Sequence, residues 1–153
     1  MARYSAAGSR AGINTANSAY FQLRPTTTAE RLYIVEIGIN IAVAPTTAPA
    51  LYLARSTAVG TNTATAAGLP HEPGDVAAVG TLDSTWSAAP TFSTSDALRR
   101  GGLAVTAGGM LIWTFYDAPI VLAADTAKGL VIANANASGA TTGTFTAYCS
   151  WDE

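Results

Sequence analysis

With 153 residues the chain is long enough for one domain with its own hydrophobic core and short for two. A charged fraction of 12%, against about 25% in an average domain, together with 49% hydrophobic residues excludes a disordered polyelectrolyte. A net charge of -2 lacks the basic footprint of a nucleic-acid binder, and no apolar run reaches the ~18 residues of a membrane span.

In chain order, residues 1–18 are small and polar, with Arg3 and Arg10 and no acid, and read as an N-terminal arm docked on something else. Residues 1–31 carry net charge +3, leaving -5 on the remainder. The first residues also lack the apolar core of a secretory signal, which points to synthesis in the cytoplasm. Residues 19–153 read as a single β-sandwich domain. Residues 19–24 form a first strand. The clearest strand is 31–43, where strict alternation puts Tyr33, Val35, Ile37, Ile39, Ile41 and Val43 on one face and Glu36, Gly38 and Asn40 on the other. Residues 50–56 follow, then a Thr/Ala/Gly/Pro-rich loop over 58–75, longer than ordinary connections inside a compact domain. Strands are expected at 76–82, 85–93 and 103–106, and a short helix at 94–100, capped by Ser95 and closed by Gly101 and Gly102.

The run 110–116 breaks clean alternation. Leu111, Trp113 and Phe115 make one apolar face, and Met110, Ile112 and Tyr116 make the opposite face apolar too. Such a strand needs cover on both sides, either a loop of its own chain or a neighbouring subunit; sparse charge favours the subunit, with Met110, Ile112 and Tyr116 as the oligomer interface. Strands at 120–122, 129–134 and 143–151 complete the series, the last turning Phe145, Ala147, Cys149 and Trp151 inward and Thr144, Thr146, Tyr148 and Ser150 outward. Many short strands without intervening helical patterns give an all-β, antiparallel β-sandwich; closing two Greek keys makes it jelly-roll-like.

Catalytic patterns are sparse. Cys149 has no second cysteine to pair with and reads as a buried hydrophobe. The one histidine, His71, stands in Leu-Pro-His-Glu-Pro-Gly-Asp, where two prolines and a glycine dictate a turn. Together with Glu72 and Asp75 it falls short of a zinc set, and no calcium-loop spacing occurs. Asp75, Asp83, Asp96, Asp117 and Asp125 lie near strand ends without the pairing that glycoside hydrolysis needs. Gly101-Gly102 and Gly108-Gly109 read as hairpin turns, Arg99-Arg100 is too short for a basic stripe, and Asn136-Ala137-Ser138 is a chance sequon. The expectation is a non-enzymatic protein with no cofactor and no metal.

Eighteen charges spread over about 7,000 Å² leave a thin ionic coat, either covered by partners or tolerated as a skin of Thr, Ser and Ala. Lys128 is outnumbered by seven arginines, and arginine is the cation suited to interfaces. The run Arg31-Leu-Tyr-Ile-Val-Glu-Ile-Gly-Ile-Asn, the loop 58–75 and the ending Gly143-Thr-Phe-Thr-Ala-Tyr-Cys-Ser-Trp resemble small β-sandwich virion proteins of tailed bacteriophages, most of all head decoration, or cement, proteins. That resemblance implies a homo-oligomer, a trimer, seated on the major capsid protein at the virion exterior. It also implies an arm whose Arg3, Tyr4, Arg10, Asn14 and Asn17 lie on the capsid. The alternative is a tail-tip or fibre module that binds a host receptor or glycan.

Overall fold

The computed structural model describes residues 1–13, 15–136 and 142–153; Asn14 and part of the Asn136-Ala137-Ser138 tripeptide lie outside them. Among the described residues there is no helix, and twelve strands follow one another: β1 (Arg3–Ala11), β2 (Ala19–Pro25), β3 (Leu32–Val43), β4 (Ala50–Ala58), β5 (Thr61–Ala67), β6 (Leu69–Pro70), β7 (Gly80–Ala88), β8 (Thr91–Gly102), β9 (Met110–Thr114), β10 (Ile120–Leu122), β11 (Gly129–Asn134) and β12 (Thr144–Asp152). All ladders are antiparallel. One sheet runs β10-β3-β12-β1-β6, with β9 following β10 along the same edge of β3; the other runs β5-β7-β2-β11-β4-β8. The order β1-β12-β3-β9/β10 packs on β2-β11-β4-β8, and successive strands of this set cross between the sheets except from β4 to β8 and from β9 to β10. This is the jelly-roll connectivity, with β5, β6 and β7 added at one side.

Residues 3–11, expected to form an arm, are a strand inside the first sheet. Arg3–Ala11 pair with Asp152–Thr144 along their whole length, and the sequence alternates as a strand must: Tyr4 and Ala6 are buried while Ala7 and Ser9 are exposed. Tyr4 stacks against Trp151 and its hydroxyl donates to the Val76 carbonyl at 3.1 Å. The domain therefore begins near residue 3 rather than 19.

Alternation along β3 is interrupted twice. Ile34 opposes Trp151 and Glu36 opposes Ser150, so Val35 is an extra residue; Ile41 opposes Phe145 and Val43 opposes Thr144, so Ala42 is another. Each bulge reverses the parity of the residues beyond it. Leu32 and Ile34 face the core, then Ile37, Ile39 and Ile41 do, whereas Tyr33 leaves the inner face and Val43 becomes exposed. The final strand needs no correction: Phe145, Ala147, Cys149 and Trp151 are all buried.

Four further expectations are revised. The loop 58–75 contains β5 and β6, which turn a corner at Gly68, where the chain leaves the second sheet and pairs with β1 in the first. The helix at 94–100 is part of β8, whose ladder with β4 shifts register three times, with residues 93–96 looping out between Phe92 and Ala97. Strand β7 spans Gly80–Ala88 rather than 76–82 and 85–93, and residues 103–106 are irregular chain ending in a bend, followed by a turn at 107–108 where Gly108 has φ 84°. Gly101 and Gly102 end β8 instead of turning a hairpin.

The core joins both sheets: Phe21 and Leu23 from β2, Leu51 and Leu53 from β4, and Leu130 and Ile132 from β11 meet the inner residues of β3 and β12. A smaller apolar cluster lies on the outside of the second sheet, where Ala19, Tyr52, Ala54, Val131 and Ala133 are covered by Trp86, Phe92 and Ala97. Beside it Arg24 and Asp83 make a buried ion pair at 2.6 Å, and Asp83 also accepts from the Thr65 hydroxyl at 2.5 Å.

Candidate interaction surface

The outer face of the first sheet is a regular array, because the ladders put its outward residues in rows across four strands. Ser5, Ser150, Glu36 and Thr114 form one row; Ala7, Tyr148, Gly38 and Ile112 the next; Ser9, Thr146, Asn40 and Met110 the third. Arg3, Asp152 and Tyr33 continue it at one end. Small residues occupy the β1 side, and Met110 (54% exposed), Ile112 (45%) and Tyr116 (58%) form an apolar rim on the β9 side.

The three charges in these rows all find partners within the face: Arg3 and Asp152 cancel each other, and Glu36 keeps its negative charge but is hydrogen-bonded on both oxygens. Arg3 holds Asp152 in a two-pronged pair, Nε to Oδ1 at 2.7 Å and Nη2 to Oδ2 at 3.0 Å. Glu36 accepts one hydrogen bond from the Tyr116 hydroxyl on Oε2 and one from the Tyr148 hydroxyl on Oε1, each 2.6 Å. These donors, Tyr116 first, hold the Glu36 carboxyl below the usual carboxylate range. The Tyr148 phenol is pushed up to about 12, chiefly by burial and then by its bond to Glu36.

Glycine at position 38 is what lets Tyr148 lie flat. A Cβ there would collide with the tyrosine ring, so the neighbouring strand leaves a trough and the ring fills it. Next to that ring, Ala7, Gly38, Asn40, Met110, Thr146 and Tyr148 line a shallow groove of about 130 Å³, and the Thr146 hydroxyl bonds to Asn40 Oδ1. Four strands about 4.8 Å apart and four rows about 6.8 Å apart give this face roughly 500 Å² of projected area. Its Tyr, Met and Arg side chains are types enriched at interfaces, set among small serines and Ala7.

The residues expected on the capsid do not stay together. Arg3 is on this outer face, next to Asp152. Tyr4 is fully buried and belongs to the core, so no partner reaches it. Arg10 points the other way: its guanidinium lies 4.9 Å from the centre of the Trp86 ring and donates to the Ala19 carbonyl at 2.5 Å. Asn17 is an exposed turn residue with φ 54°, its amide bonded to the Asn134 carbonyl; Asn14 lies outside the described residues. Three of the four arginines behind the +3 charge of residues 1–31 thus find partners inside the fold: Arg3 with Asp152, Arg10 with Trp86 and Arg24 with Asp83. By contrast, Met110, Ile112 and Tyr116 lie on one exposed rim, where alternation placed them.

His71, Glu72 and Asp75 border a pocket of about 550 Å³ together with Met1, Ala2, Arg3 and Asp152. Among the described residues no three His, Cys, Asp or Glu side chains are grouped closely enough to hold a metal ion. Cys149 is fully buried, its thiol pushed up to about 12 by desolvation. Asp83 is consumed by Arg24, Asp125 accepts from the Ala127 amide, and Asn136 bonds to the Ala50 amide and the Ala48 carbonyl. Alternation alone could locate Glu36, Asn40 and Tyr148 on outer faces; that they adjoin one another depends on β3 pairing with β12, which no local pattern reveals. The chain matches no protein-family model and none of the curated proteins with which it was compared.

Proposed function

We propose that this chain is a non-enzymatic structural protein of a tailed-bacteriophage head, a decoration protein that binds the lattice of major capsid protein and stabilises the shell. The observation that carries the reading is the outer face of the first sheet, a broad, low-charge surface whose charged groups are all hydrogen-bonded within it, edged by exposed Met110, Ile112 and Tyr116. Its sequence resemblance to such proteins points the same way. Adhesion requires buried area and shape rather than turnover: a partner that binds only the assembled shell stabilises it by mass action. A face of roughly 500 Å² is below the ~800 Å² per partner of a standard interface, which suits an array of many weak contacts.

The test is co-sedimentation with expanded capsids that lack the protein. Wild-type chain should pellet with the shells at a fixed stoichiometry of hundreds of copies, and Ile112→Asp, which places a charge in the centre of the rim, should weaken binding at least tenfold while remaining folded. Binding by Ile112→Asp equal to wild type removes this face from the reading. Absence of binding to any capsid, with a few copies found at the tail instead, favours the receptor-binding alternative.

A further inference from the structure

The two lateral sides of the sandwich are built differently. On one side β8 carries exposed Asp96, Arg99 and Arg100 and shifts register three times against β4, while β9 and β10 are short pieces separated by a turn with Asp117. Charges, bulges and short strands are the devices that stop an edge from pairing with another chain. On the other side β1 beyond residue 5 has neither a bulge nor an outward charge, its Arg10 turning inward onto Trp86.

Backbone parity shows which groups are open there. Ala2 and Glu153 exchange both backbone bonds, and the Gly12 amide donates to the Gly143 carbonyl, so even-numbered residues of β1 turn their polar groups to β12. Odd-numbered residues turn theirs the other way. The Arg3 carbonyl accepts from the His71 amide and Ser5 pairs with Leu69, and there the cover by β6 ends. Among the described residues no strand pairs with Ala7, Ser9 or Ala11 on that side, and all three are exposed.

We propose that this stretch, Ala7 to Ala11, pairs antiparallel with the same stretch of a second copy about a twofold axis at Ser9, joining the two first sheets into one. The opening is bounded by β6 at Ser5 and by the end of β1 at Ala11, so it is centred on Ser9. In that register Ala7 meets the copy's Ala11, Ser9 meets Ser9, and Arg10 meets Gly8. The one charge in the paired stretch, Arg10, therefore faces a residue without a side chain, and no like charges oppose each other. Residues 56–70, which border the opening through β5 and β6, contain no charged residue. Closed twofold pairing is also the commonest way for identical chains to associate.

Sedimentation equilibrium of the full chain tests this without any shell, so its outcome is independent of the capsid reading. The wild-type protein should show a concentration-dependent dimer. Ser9→Pro removes an amide that faces only the open edge and should raise the dimer dissociation constant at least tenfold while circular dichroism stays native. Should the proline disturb the strand, Ser9→Glu sets two carboxylates directly opposite each other and should weaken the dimer similarly, with partial recovery in high salt. A wild-type chain that stays monomeric up to millimolar concentration overturns the proposal. So does association that both Ser9 variants retain, or association that only Ile112→Asp removes.

Discussion

At the scale of single residues, two glycines illustrate how the same substitution has different costs. The Trp151 indole is fully buried between Gly68 and Gly80, and a Cβ at Gly80 would come within 2.7 Å of its ring carbons. The indole cannot yield, because Tyr4 stacks on it and its Nε1 donates to Glu153 Oε1 at 2.7 Å. Gly80→Ala should therefore cost about 1–3 kcal/mol in urea unfolding, as overpacking does. Gly38→Ala meets only the partly exposed Tyr148 ring, which can swing outward, so it should cost less and show instead as loss of the Tyr148–Glu36 bond. Titration behaviour depends on the same contacts. Tyr148 and Cys149 both have values raised to about 12 in the folded chain, so above their ordinary values the unfolded chain binds fewer protons than the folded one. Their contribution is fully present below about pH 9 and is lost as pH rises toward 12. Denaturant midpoints should fall across that window, and Cys149 should react with a thiol reagent at pH 8 only once the protein is unfolded. Glu36 acts in the opposite sense: its lowered carboxyl contributes above the ordinary carboxylate range and ceases to as pH falls through its folded value.

At the scale of elements, β1 and β3 show what pattern reading can and cannot extract. Residues 3–11 alternate, but their inward positions are Tyr4, Ala6, Gly8 and Arg10, so only two of four are apolar with a side chain, and the small polar remainder resembles a tail. What makes the segment a strand is its ladder with the far end of the chain, Arg3 against Asp152. Removing residues 1–18 should accordingly unfold the domain rather than free a binding-deficient body: it exposes the β12 edge and takes Tyr4 from against Trp151. Circular dichroism of the truncated chain should lack the native β signal, and dye binding should report exposed apolar surface. In β3 the apolar run from Tyr33 to Val43 was legible and its type correct, yet Val35 and Ala42 are bulged, so Tyr33 and Val43 fall on the wrong side of the sheet. A bulge is set by the partner strand, and β12 is about a hundred residues away in sequence. The segment 94–100 looked helical because Ser95, Ala97 and Leu98 suit a capped turn; the competing β4 edge decided it.

At the scale of the whole molecule, the surface is 6878 Å² with eighteen charges, and the structure shows how few of those charges meet solvent alone on the faces that matter. Arg24 and Asp83 neutralise each other beside β5, Arg3 pairs with Asp152 on the broad outer face where two tyrosine hydroxyls hold Glu36, and β8 keeps its arginines and aspartate at an edge that must not pair. Sparse charge was visible in the composition, and alternation over 110–116 put Met110, Ile112 and Tyr116 on one face, because both are read within a single segment. The outward array across Arg3, Ser5, Tyr148, Gly38 and Ile112 was not visible, since its members come from four strands. By itself the sequence determined an all-β, antiparallel sandwich, the inward face of β12 and the burial of Cys149, each a consequence of period-two alternation within one segment. Tertiary structure alone decided that the first residues are a strand of the first sheet, where the bulges fall and which outward side chains share a face. Those outcomes depend on pairing between segments far apart in the chain, for which local chemistry provides no register.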